Sequence, residues 1–105
     1  MTYVVINELF VDADDVAVFE TNFSASMQGT LNGVPGLEAA RLLAPAGDDR
    51  GYLSVLEFVD RSAYEAYRAS PAFEAAHRWP DHAPFKRNQL AEFTERLRLG
   101  SGQHP

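Results

Sequence analysis

An amide and an imidazole stand where the surrounding sequence pattern asks for neither. Asn7 interrupts the apolar run VVINELF, and His77 closes the alanine-rich segment SPAFEAAH. On a strand, Asn7 falls in the row of Tyr3, Val5, Leu9 and Val11, because side chains two apart share a face. A buried amide costs roughly 1–3 kcal/mol unless it is hydrogen-bonded. Asn7 is therefore either bonded to a neighbouring strand or barrel rim, or a donor aimed into a pocket. His77 also has two readings. In the last turn of a helix an imidazolium gains from the helix dipole, which alone could account for it. Phe73, however, lies four residues earlier on the same face, so the ring emerges beside an aromatic side chain. Tyr67, in the preceding helical piece, could face the same space. An imidazole so placed is available as a ligand or a proton carrier.

Other chemistries are excluded or weakly signalled. The chain has no cysteine, which removes disulfides, thiolate metal sites and cysteine nucleophiles together. His77 and His82, with Asp81 between them, straddle Pro80, so no helical geometry brings both rings to one ion. There is no Ser-His-Asp arrangement, glycine-rich phosphate loop or paired-carboxylate motif. Glu57 and Glu95 interrupt strands and read as sheet-edge or dimer contacts, and Trp79 as a packing residue beside a loop. A net charge of −6 without a basic stripe opposes binding to nucleic acid. No apolar stretch reaches membrane-spanning length, and a cytoplasmic protein is expected.

The 105 residues, 46% hydrophobic and 23% charged, suffice for one core. Residues 1–99 read as one domain and 100–105, GSGQHP, as a disordered tail. Tyr3 to Val11 is expected as a strand. Asp12 to Asp15 supply a cap and negative charge to a helix whose stripe is Val16, Phe19, Phe23 and Met27. NGVPG ends it, a strand follows from Leu37 to Leu43, and PAGDDRG turns into a third from Tyr52 to Val59. Asp60 and Ser62 open a second helical region with Tyr64 and Tyr67 on one face, and Ser70-Pro71 restarts it. The last strand is expected near Gln89 to Leu99.

The order β-α-β-β-α-β predicts an α+β, ferredoxin-like fold with an antiparallel sheet and both helices on one face. Strand 1 is apolar on both faces, with Val4, Ile6 and Phe10 opposite Tyr3, Val5, Leu9 and Val11. Strand 3 repeats this, with Leu53, Val55 and Val59 against Tyr52, Leu56 and Phe58. Helices cover one face only, so a homodimer with sheets packed face to face as an α+β barrel is expected.

With that order, and with FVDRSAYEAYRASPAFEAAH running from strand 3 through the second helix, the chain resembles the antibiotic-biosynthesis-monooxygenase (ABM) domain. Within it the likeness is to haem-degrading monooxygenases of the IsdG type, over about Thr2 to Leu99. Asn7 matches that family's strand-1 asparagine, and His77 its axial iron ligand. Tyr67 stands where a tryptophan is expected, ten residues before the histidine, and Phe23 where a haem-contacting aromatic is expected. The resemblance implies that haem is both cofactor and substrate, consumed with O2 and electrons from an external reductase. It assigns the catalytic roles to Asn7, Tyr67 and His77, and cofactor contacts to His77, Phe23 and Phe73, with His77 on the haem iron. Asn7 donates a hydrogen bond on the side away from His77, and Tyr67 presses on the macrocycle with a smaller ring than tryptophan. Arg68, Arg78 or Lys86 would meet the anionic propionates at the mouth. The products are iron and an open-chain tetrapyrrole.

The same fold serves two other functions. One is cofactor-independent oxygenation of aromatic, polyketide or small signalling substrates, with His77 and Tyr67 handling protons and Asn7 stabilising oxygen charge. The other is haem binding without catalysis.

Overall fold

β-branched and aromatic side chains dominate Tyr3–Phe10 and form β1, as expected of side chains that suit a pleated surface. A computed structural model describes this segment within residues 1–47, 49–76 and 87–100. A short 3-10 turn, Ala13–Asp15, leads into α1 (Val16–Ser26). The turn is closed through the backbone, Asp15 N–H donating to the Asp12 carbonyl at 2.9 Å, rather than by a side-chain cap. A π-helical turn, Met27–Leu31, extends α1, and β2 (Leu37–Leu43) and β3 (Tyr52–Phe58) follow. α2 (Arg61–Arg68) starts at Asp60, whose carboxylate accepts from the Ala63 N–H at 2.9 Å. α3 (Pro71–Ala76) restarts at Ser70, whose hydroxyl accepts from the Phe73 N–H at 3.3 Å. β4 spans Arg87–Thr94.

The four strands form one antiparallel sheet in the order β2-β3-β1-β4, the split βαβ topology. Tyr3, Val5 and Leu9 of β1 pair with Phe58, Leu56 and Tyr52 of β3, and this face carries the helices. Phe19 of α1 is fully buried with Leu9 and Tyr52. Tyr64 and Tyr67 of α2 are buried with Tyr3, Val5 and Phe58. Asn7 lies in the middle of the covered face, between Ser54 on β3 and Leu90 on β4.

Two expectations need correction. The last strand stops at Thr94, which pairs with Tyr3; one further bond joins Glu95 N–H to the Thr2 carbonyl, and Leu97 and Leu99 are exposed. Their alternation continues past the point where β1 has residues left to pair. Of the two readings of Glu57, the sheet edge does not hold, since β3 is an inner strand. It accepts ion pairs from Arg41 and Arg98 at 3.4 and 3.2 Å on the face without helices. Residues 101–105 of the expected tail, and Trp79, lie outside the described residues.

Candidate functional site

A cavity of about 270 Å3 opens between the C-terminal end of α1, the π-helical turn, the sheet and Tyr67. It exists because of where the bulky residues fall. Phe19 fills the space over Leu9 and Tyr52, and Phe23, one turn on and 5.4 Å from it ring to ring, becomes cavity wall. The wider π-helical turn then carries Met27, Thr30 and Leu31 along the rim. Thr30 bonds back to the Ser26 carbonyl at 2.6 Å, a local bond that helps hold the departure from α-helical spacing. On the sheet side, Ser54 lies beside Asn7 in register, and its small side chain leaves room. Val5, Leu9, Phe23, Leu56 and Leu90 make most of the described wall apolar, Ser26 and Asn88 add polar groups to it, and no side chain on it is charged.

Asn7 is half-buried on this wall, and of its two readings the bond to a neighbouring strand is present. Its carbonyl oxygen accepts from Asn88 Nδ2 at 3.2 Å, across to β4. Its own Nδ2 has no hydrogen-bond partner among the described residues. Tyr67 forms a second wall and is only 4% exposed. Its ring lies 5.7 Å from Phe58 and edge-on to Phe73 at 5.5 Å. Its hydroxyl also lacks a hydrogen-bond partner among the described residues. Burial, helped by nearby Tyr64, pushes the phenol up to about 12, so at neutral pH it is a proton-bearing donor. No fully buried polar side-chain atom among the described residues is unpaired. Neither free donor is therefore sealed in the core.

The structure thus brings Asn7, Tyr67 and Phe23 to one cavity. Phe73 packs edge-on against Tyr67 and is not among the residues of the described wall. Arg68 lies over the Tyr64 ring, 5.8 Å from its centroid, and is likewise not on the described wall. His77 follows Ala76, the last residue of α3, and lies outside the described residues, as do Arg78, His82 and Lys86. Among the described residues no three His, Asp or Glu side chains converge to hold a metal ion, and no helix is long and apolar enough to cross a membrane. Sequence reasoning missed Asn88, Ser54 and Thr30. The first two depend on strand register, and the third on the π-helical turn; residue type alone signals neither.

The family model described as antibiotic biosynthesis monooxygenase matches residues 2–79. No curated protein matches the chain in sequence. Among solved structures, it is similar to the haem-degrader MhuD of Mycobacterium tuberculosis, with two haems bound in its active site. The two are 24% identical over 93% of this chain and 99% of that one, with a TM-score of 0.78. An arginine-to-serine variant of MhuD with two manganese protoporphyrin IX molecules per active site is 25% identical, over 94% of this chain and 99% of that one, with a TM-score of 0.82. SnoaB, a cofactor-independent oxygenase from Streptomyces nogalater, is 22% identical over 93% and 96% of the respective chains, with a TM-score of 0.71.

Proposed function

The chain belongs to the antibiotic biosynthesis monooxygenase family, and we propose that within it this protein is a haem-degrading monooxygenase of the IsdG type. The observation that carries this reading is the pair of unspent donors, Asn7 and Tyr67, on a mainly apolar, uncharged cavity wall. Such a wall suits the body of a porphyrin, and two polar groups suffice to orient a ligand in an apolar pocket. The likeness to MhuD supports haem as that ligand.

Haem, when bound, supplies both the redox-active iron and the macrocycle that is opened; O2 and an external electron donor complete the reaction. His77, one residue beyond α3, is the proposed iron ligand. Asn7 acts from the sheet, and its Nδ2 is fixed because Asn88 holds its carbonyl oxygen. A donor fixed in advance stabilises negative charge that develops beside it at little reorganisation cost. Tyr67 is braced by Phe58 and Phe73, so it can press on a ligand without yielding, and macrocycle distortion is a recognised lever on haem. Phe23 offers an apolar contact at the α1 wall.

Titration of the purified protein with haemin tests the reading. A shifted, saturable Soret band is expected, and His77→Ala should abolish it. Ascorbate under air should then bleach the band and release chelatable iron. A Soret band that survives ascorbate unchanged indicates a haem carrier. A wild-type protein with no Soret change sinks the haem reading and leaves cofactor-independent oxidation of an aromatic substrate. The likeness to SnoaB favours that second reading, with Asn7 and Tyr67 as donors to substrate oxygens.

A further inference from the structure

Three of the four tyrosines lie on one path through the core that the chemistry above leaves unused. Tyr67, on the cavity wall, has its ring 5.7 Å from Phe58. Phe58 is 5.4 Å from Tyr64, and Tyr64 is 5.6 Å from Tyr3. None of the four rings is more than 8% exposed. At the far end the hydroxyls of Tyr3 and Tyr64 donate to the two carboxylate oxygens of Glu92, at 2.5 and 3.4 Å. Glu92 itself is exposed on β4. It reaches this place because it pairs with Val5 and so points to the helix side of the sheet.

Packing alone asks only for rings here, and phenylalanine would fill the positions without hydroxyls to satisfy. Tyrosine differs in that its ring gives up an electron readily when the phenolic proton has an acceptor. The carboxylate of Glu92 is such an acceptor for Tyr3 and Tyr64, whereas Tyr67 has none among the described residues. An electron vacancy entering at Tyr67 therefore has no reason to stop there and comes to rest at the Glu92 end. Phe58 serves only as a single bridging ring between two tyrosines and is not itself oxidised. The other aromatic route, from Phe23 through Phe19 to Tyr52 and its partner Glu20, puts two such rings in succession between the cavity and its one tyrosine.

We propose that Tyr67, Phe58, Tyr64 and Tyr3 form a relay carrying a one-electron oxidising equivalent from the cavity to the surface at Glu92. An oxidant in the cavity accepts one electron, drawn through the rings from Tyr64 or Tyr3. The phenolic O–H bond breaks as the electron leaves, and its proton passes to the Glu92 carboxylate. A neutral tyrosyl radical and a carboxylic acid result. A soluble reductant of the ascorbate or thiol class returns the electron, and Glu92 returns the proton. The relay would spare the oxidisable cavity wall, Met27 and Tyr67 among it. In turnover the oxidant would come from O2 and the external electron donor at bound haem, which rests on the haem reading; the relay itself does not.

The test uses no haem. Because the chain lacks cysteine, Thr30→Cys places a unique thiol on the cavity wall for a ruthenium polypyridyl photo-oxidant. Flash-quench with transient absorption and electron paramagnetic resonance then reads the tyrosyl radical. We expect a radical that the Tyr3→Phe/Tyr64→Phe double variant largely loses, that Phe58→Leu delays, and that Glu92→Gln diminishes. Circular dichroism verifies folding, and the exposed Glu92→Gln change keeps every ring in place. Tyr52→Phe should leave the radical unaltered. An unchanged yield in the double variant, or a radical lost with Tyr52→Phe, overturns the relay. Failure of the haem reading shows separately, as a missing Soret shift.

Discussion

At the scale of single residues, the tyrosines make the chain's pH response one-sided. A hydrogen bond to Glu20, and then burial, pushes Tyr52 up to about 12. Burial first, and then Tyr64, takes Tyr67 to about 12. Tyr3 is raised chiefly by its bond to Glu92, and Tyr64 chiefly by burial. In each case the folded chain holds the phenolic proton more tightly than the unfolded chain, whose tyrosines ionise near the ordinary value of 10.0. The resulting stability is fully present below that value and is lost as pH rises from about 10 through about 12. Spectrophotometric titration should show little tyrosinate at pH 10, followed by a steep rise coupled to loss of near-ultraviolet circular dichroism. Half-ionisation near pH 10 in the folded protein would contradict this. Individual residues were unequally legible in the sequence. Asn7 was visible because an amide broke an apolar row. Its partner Asn88 was not, because a diagonal contact depends on the β1–β4 register, which alternation leaves undetermined.

Elements were more legible than contacts, because apolar periodicity and capping residues act locally. Asp60 and Ser70 sit at the helix starts where their side chains bond the first turn. NGVPG turns where glycines take positive φ, 84° at Gly33 and 79° at Gly36. The end of β4 at Thr94, short of the expected Leu99, has a physical reason. Alternation belongs to one chain segment, while a strand needs a partner, and β1 begins at Tyr3. Gly36 shows how a turn residue also fixes packing between elements. A Cβ there would meet the Ala63 Cβ of α2 at 2.5 Å, whereas one on Gly33 meets nothing within 4 Å. Gly33→Ala should cost roughly 1 kcal/mol or a little more, the conformational penalty alone. Gly36→Ala should cost roughly 1–3 kcal/mol beyond that, from overpacking against α2. Urea midpoints at unchanged slope measure both; equal losses would show that the approach of α2 to this turn carries no weight.

For the whole molecule, the sheet is unfinished. The helices occupy the face of Tyr3, Val5 and Leu9, while Val4, Ile6 and Phe10 of β1 stand on the other with Leu53, Leu43 and Phe93. Leu43 and Phe93 are 40% and 49% exposed. Charges on this face are already paired at its margins. Glu8 accepts from the Gly51 N–H at 2.8 Å and from Arg50 at 3.2 Å, and Glu57 lies between Arg41 and Arg98. Arg87 lies over the Phe10 ring, 4.0 Å from its centroid. An apolar centre within a rim of both charge signs is self-complementary, as an isologous interface requires. We propose that a second copy of the chain covers this face and closes the two sheets into a barrel. Ile6→Lys would put an unpaired ammonium at the centre of that contact, where burial without a partner is strongly unfavourable. Light scattering should then report a dimer for the wild type and a monomer for Ile6→Lys. The far-ultraviolet spectrum should persist, because the helix-side core is untouched. A monomeric wild type, or a variant that still dimerises, would refute the barrel. The cavity lies on the opposite side of the sheet, so ligand binding tests whether the two faces are coupled. If the monomer binds haemin as the dimer does, the sheet holds Asn7 in place without help from its partner. If binding weakens, the second copy contributes to the site by stiffening β1 from behind.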